Sequence, residues 1–274
     1  MAASVSETVD AFHRGRFQIL QPKGRGHRAG IDAMLLAALV ADQNPCRVAD
    51  LGAGAGAAGM AVASRLEKTD VTLFELSDEM VDFATRSLQL PANEAFAGRV
   101  HVRQADVTLR ADARRQAGLL DDHFHHVIMN PPYNDAGDRK TPDALKATAH
   151  AMTDGLFENW LRTAAAIMVP GGQLSLIARP QSIFDIIAAC GRRFGGLEIT
   201  LIHPRVEEDA VRMLVTAIKG SRARLNFRAP LVMHENASHA FLPEVDDLTN
   251  GRKAYPRTGA SEKKRQETSA LGAG

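Results

Sequence analysis

The sequence predicts an α/β fold with a doubly wound, mostly parallel sheet, one antiparallel strand and helices on both faces. Three observations predict it. Strand-like and helix-like segments alternate through the middle of the chain, as parallel strands joined by helical crossovers require. The first strand runs into Asp50-Leu51-Gly52-Ala53-Gly54-Ala55-Gly56, where glycines permit a tight strand-to-helix turn and close approach of backbone to a ligand. The last two strand-like segments are separated only by an acidic loop, so a hairpin there would supply the antiparallel strand.

The elements follow in order. Residues 31–41, IDAMLLAALVA, are apolar nearly all round and read as a buried helix, which Asn44-Pro45 breaks. RVADLG (47–52) is a strand, and the Ala-rich 56–66 favours helix. VTLFEL (71–76) is the second strand. Ser77 caps the helix after it, with Asp78 and Glu79 in the first turn. VHVRQ (100–104) and HVIMN (126–130) are the third and fourth strands, with a short surface helix within RADARRQAGLLDDH between them. Residues 154–168 form a helix closed by Pro170-Gly171-Gly172, and QLSLIA (173–178) is the fifth strand. SIFDIIAACGRRF (182–194) is helical, and LEITLIHP (197–204) and RMLVTAIKG (212–220) complete seven strands. The expected organisation is a basic N-terminal segment (1–30), a globular domain (31–245) and a polar, flexible tail (246–274).

Composition narrows the function. No apolar run reaches the roughly 18–20 residues of a membrane span. Cys46 and Cys190 have neither metal-site nor disulfide spacing, which fits a reducing cytoplasm. His123, His125 and His126 lack partnering Cys or acids at metal-site spacing and read as a surface turn, so no metal is expected. Net charge is +1, which gives no global field for nucleic acid. Basic residues are nonetheless clustered: Arg14, Arg16, Lys23, Arg25 and Arg28; Lys219, Arg222, Arg224 and Arg228; and six more after Thr249. Three such clusters would line one groove if the fold brought them together.

The glycine turn leads into a helix N-terminus, with free N–H groups and a positive dipole end. Glu75 ends the second strand and is placed to accept from a ribose diol. Two ligands compete, a nicotinamide or flavin dinucleotide and S-adenosylmethionine, since Gly54-x-Gly56-x-x-Gly59 also satisfies the dinucleotide spacing. Asp50 favours S-adenosylmethionine, because a carboxylate there can hold its ammonium group. Asp106, after the third strand, lies where the adenine amino group would be, or else it caps a turn. Asp32 reads as an N-cap or a cofactor contact, and Phe157 and Trp160 as a helix–sheet interface. The fourth strand ends in Asn130-Pro131-Pro132-Tyr133, a stiff turn whose prolines cannot extend a ladder.

Asp50–Gly56, Glu75, Asp106 and Asn130–Tyr133 resemble the ordered motifs of class I S-adenosylmethionine-dependent methyltransferases acting on a planar nitrogen. The resemblance implies a Rossmann-like sheet, with Asp50, Gly52, Gly54, Gly56, Glu75, Asp106 and Asp32 around the cofactor. It also implies that Asn130 and the Pro131 carbonyl accept from the target amine while Tyr133 stacks on its ring. QPKGRGHRAGIDAMLLAALV (21–40), Ala149-His150, ARPQSIFDII (178–187), HPR (203–205) and APLVMHEN (229–236) are similar to bacterial enzymes related to the tRNA(Val) adenine methyltransferase. Some relatives are known as predicted O-methyltransferases. Adenine in tRNA is then the expected acceptor, with Arg25, Arg28, Lys219, Arg222 and Arg224 contacting RNA. A small molecule or a protein side chain is the alternative.

Overall fold

The structure, a computed structural model, describes residues 6–23, 29–41, 44–132, 155–235 and 238–258. The chain opens with an antiparallel hairpin, β1 (Glu7–Phe12) and β2 (Phe17–Pro22), which sequence reading took only as a basic segment. By register Phe12, Phe17, Ile19 and Gln21 share one face of this ribbon, and Phe17 and Ile19 are fully buried. Helix α1 (Ile31–Ala38) then leads to the main sheet.

β3 (Cys46–Leu51), β4 (Thr69–Glu75), β5 (Val100–Gln104), β6 (Phe124–Met129), β7 (Met168–Ala178), β8 (Phe194–His203) and β9 (Arg212–Lys219) are the seven expected strands. They lie in the order β8-β9-β7-β6-β3-β4-β5. Only β9 among them runs against its neighbours, pairing antiparallel with β7 and β8. The chain moves outward from β3 to β5 and then returns to the other side of β3 as β6. That reversal opens a crevice at the carboxyl ends of β3 and β6, where open α/β sheets bind ligands. Two short strands, β10 (Asn226–Phe227) and β11 (Leu231–Val232), extend the edge beside β8.

Helices cover both faces. α1, α2 (Ala57–Arg65) and residues of β2 pack in one core; α3 (Asp78–Ser87) and α4 (Glu94–Ala97) border it. α5 (Ala111–Gln116) precedes β6, and α6 (Leu156–Ile167) and α7 (Ile183–Cys190) pack in the opposite core. Ser77 caps α3 as expected, its hydroxyl accepting from the Met80 N–H.

Two expectations change. Pro170-Gly171-Gly172 does not lie outside the fifth strand, because β7 already pairs at Met168. Its register jumps from Phe124↔Met168 to His126↔Gln173, so a bulge absorbs the extra residues. The chain also does not become a loose tail at residue 246. α8 (Pro243–Thr249) buries Val245 and Leu248 in the same core as α1. The Tyr255 N–H then donates to the Ala38 carbonyl at 2.8 Å, and the Thr258 hydroxyl to Glu198 at 2.7 Å. Residues 259–274 lie outside the described residues.

Candidate functional site

The glycine turn is tight at the back and open at the front. Gly52 has φ +68°, and a Cβ there would stand 2.4 Å from Cη2 of Trp160. Gly59 lies on α2, where a Cβ would meet Leu73 at 2.3 Å, so its lack of a side chain seats the helix on the sheet. Gly56, φ +89°, is the N-cap of α2. Gly54, φ +56°, faces open space, with no atom within 4 Å of a would-be Cβ.

Three carboxylates stand around that opening, each at the end of its own strand or just beyond. Asp50, 2% exposed, accepts from the Gly59 N–H at 2.9 Å, satisfying a donor of the first turn of α2. Burial, reinforced by the nearby Glu75 charge and opposed by the Gly59 hydrogen bond, pushes Asp50 up to about 7. Glu75 is fixed by the Gly54 N–H on one oxygen and the Leu76 and Ser77 N–H groups on the other, at 2.8 to 2.9 Å. Asp106 accepts from the Thr108 N–H and hydroxyl with the same oxygen, Oδ1, at 2.8 and 2.7 Å. The expected turn-capping role of Asp106 is therefore real, and both of these bonds fall on one carboxylate oxygen.

Asn130 follows β6, next to the cofactor turn. Met129 pairs with Leu51 in register, so Asn130 leaves the sheet beside Gly52, about one strand spacing (~4.8 Å) away. Asn130 is half-buried, Pro131 buried and Pro132 exposed; Tyr133 lies outside the described residues.

Other expected residues separate. Asp32 is not the N-cap of α1, a position held by Gly30; its carboxylate pairs with Arg212 Nε at 2.8 Å. Lys219, Arg222 and Arg224 sit at the opposite end of the sheet from Asn130. Lys219 binds Asp122 and the Met168 carbonyl, at the entries to β6 and β7. The backbone of Ser221 and Arg222 crosses Gly195 at the start of β8. Arg25, Arg28 and His150 lie outside the described residues, although Ala29 and Gly30, which follow the first two, lead into the α1 end that meets Arg212. The histidines expected in a surface turn belong largely to the sheet: His125 and His126 lie within β6, with His126 buried, His125 Nδ1 accepts from the Arg47 N–H, and the carbonyl of His123, just before the strand, accepts from Arg47 Nε.

Sequence reading assigned Trp160 to packing, and it is buried. Its ring is also the wall against which Gly52 turns, a role that no local pattern could reveal because α6 is more than a hundred residues away in the chain.

The site fits S-adenosylmethionine. An open cradle at Gly54, a buried carboxylate at Asp50 for a cationic ammonium, a fixed acceptor at Glu75 for a diol and one at Asp106 for an aromatic amine match that ligand's groups. When bound, it supplies an electrophilic methyl on sulfonium. Among the described residues there is no metal-holding group of His, Cys, Asp and Glu, and no helix long and apolar enough to cross a membrane.

Comparison with known proteins agrees. The chain is 69% identical to a crystallised predicted O-methyltransferase of Agrobacterium tumefaciens, covering 83% of this chain and 99% of that one, with a TM-score of 0.74. It is 28% identical over 225 residues to a tRNA1(Val) (adenine(37)-N6)-methyltransferase of a Shewanella species, covering 82% of this chain and 84% of the relative. It is 25% identical over 210 residues to the enzyme of that description from Pedobacter heparinus, covering 75% and 83%. The family described as methyltransferase small domain matches residues 28–200. With that match and a glycine turn flanked by three strand-end carboxylates, the chain belongs to the methyltransferase small domain family and is an S-adenosylmethionine-dependent methyltransferase.

Proposed function

We propose that the methyl acceptor is the exocyclic amine of an adenine in tRNA. The observation that carries this reading is Asn130-Pro131 leaving β6 beside the glycine turn of β3. An amine conjugated to a ring has a delocalised lone pair and is a poor nucleophile. The Asn130 side-chain oxygen and the Pro131 carbonyl accept from its two N–H bonds, drawing density onto nitrogen and turning the lone pair toward the cofactor turn. The buried Pro131 holds these acceptors still, so catalysis is mostly positioning and electrostatics. Tyr133 stacks on the base, offsetting part of the few kcal/mol needed to take it from its stack. An anticodon loop, already unpaired, makes that extraction easiest. The names of the Shewanella and Pedobacter relatives support adenine in tRNA. The basic segment at Arg25 and Arg28 would contact its phosphates, and the setting for such work is the cytoplasm.

The test is incubation with radiolabelled S-adenosylmethionine and total bacterial tRNA, followed by digestion and identification of the labelled nucleoside. Label in a methylated adenosine is expected. Asn130→Ala should lose at least about a hundredfold of kcat/KM, the scale of one positioned electrostatic contact. A second reading is transfer to a small molecule or a protein side chain, and the name of the Agrobacterium relative, a predicted O-methyltransferase, supports an oxygen acceptor. Unlabelled tRNA together with turnover on a low-molecular-weight acceptor would replace the first reading by the second.

A further inference from the structure

We propose that Thr163, on α6, is a positioning residue for adenine recognition, holding the loop that aims Asp106. This rests on the assignment of Asp106 to the adenine amine. The Asp106–Thr108 loop leaves the end of β5 with little secondary structure of its own. Its inner side is tied to β4 through the Ala105 N–H, which donates to the Glu75 carbonyl at 2.9 Å. Its outer side is tied to α6. The Thr163 hydroxyl donates to the Val107 carbonyl at 2.7 Å, and Thr163 is 1% exposed. One residue earlier, Arg162 Nη2 donates to the Thr108 carbonyl at 3.1 Å, while its Nη1 donates to Asn159 Oδ1 at 2.6 Å.

These contacts fix the peptide units on both sides of Thr108, and Thr108 in turn binds Asp106 Oδ1 through its N–H and hydroxyl. One carboxylate oxygen is thereby consumed by the loop, and the direction of the other is set. A hydroxyl is needed at Thr163 because the Val107 carbonyl is buried in the α6 interface. Val at that position would match the shape and leave the carbonyl without its donor. α6 thus serves two parts of the cofactor site one turn apart, with Trp160 backing Gly52 and Thr163 backing the Asp106 loop.

Thr163→Val and Thr163→Ser are compared with wild type by calorimetry, using S-adenosylhomocysteine and its 6-deamino analogue, which has purine in place of adenine. For Thr163→Val we expect Kd for S-adenosylhomocysteine to rise about tenfold, the scale of one lost hydrogen bond, and Kd for the deamino analogue to change less than about twofold. Thr163→Ser should restore wild-type values. Asp106→Asn should weaken the amine-bearing ligand alone, and adding Thr163→Val to it should weaken binding by less than the single changes combined. Equal weakening of both ligands by Thr163→Val would overturn the proposal and leave Thr163 a packing residue, and so would no change in either. If Asp106→Asn bound both ligands like wild type, the assignment of Asp106 would fail, and with it the positioning role. The cofactor reading itself fails separately, only if wild type binds neither ligand.

Discussion

Asp50 shows how much a single carboxylate can carry. Buried at the end of β3, it is held up to about 7 while a free aspartate lies near 3.8. Its raised value means that the native protein binds a proton that the unfolded chain has released, so stability falls as pH rises from about 4 to about 7. His13 acts oppositely. Burial first, then Arg65 and Arg16, lower it to about 4, so its contribution is lost as pH falls from 6.5 through 4. The two slopes oppose one another across most of that interval. Replacing Asp50 by Asn keeps an oxygen for the Gly59 N–H and removes one slope. The unfolding free energy of Asp50→Asn minus that of wild type should therefore grow with pH, by at most about 1.4 kcal/mol per unit, and level off above pH 7. Denaturant titrations at several pH values measure it, and a pH-independent difference would refute the assignment. A cationic ammonium beside Asp50 would favour the ionised form, so this charge cost is best recovered with ligand bound.

At the level of elements, the periodic segments were legible and the irregular ones were not. Residues 71–76 and 100–104 announce strands through β-branched residues, and Ser77 announces a helix start; the structure agrees. Pro170-Gly171-Gly172 looks like a terminator by composition, yet pairing on both sides of it carries β7 through as a bulge. The Glu7–Pro22 hairpin is not legible locally because the burial of β2 depends on α2 and α3, which come later in the chain. α8 was missed for a related reason. PEVDDLT is mostly polar, and of its apolar side chains Val245 and Leu248 reach the core, with Thr249 buried beside them. Leu248→Ala should cost about 2–5 kcal/mol, as truncations in well-packed cores do. A loss below about 0.5 kcal/mol in thermal or chemical unfolding would mean that this helix is dispensable.

For the whole molecule, the sheet separates groups that charge alone would have joined. Asn130 and the glycine turn lie at the carboxyl end of the parallel strands, and Lys219, Arg222 and Arg224 at the amino end. About five residues of β7, or ~16 Å, lie between these levels. Lys219 is already engaged by Asp122 and the Met168 carbonyl, so changing it would mix folding with binding. Arg222 and Arg224 are cleaner probes. The double reversal Arg222→Glu with Arg224→Glu should leave kcat/KM for tRNA within about threefold, because contacts to phosphate matter only where RNA reaches. A fall of tenfold or more, steeper at low salt, would extend the RNA footprint across the amino end.

By itself the sequence determined the seven strands of the main sheet in their order, the carboxylates that end successive strands and the stiff Asn130-Pro131-Pro132 turn after the fourth of them. Those features are local: each depends on residue types within a few positions and on the period of the element that carries them. Only the tertiary structure decided that Trp160 walls the turn at Gly52, that Thr163 braces the loop of Asp106, that Asp32 belongs to Arg212 and that one basic cluster lies at the far end. Such pairings depend on which helix crosses to which face and which strand is reversed, and a one-dimensional pattern records neither.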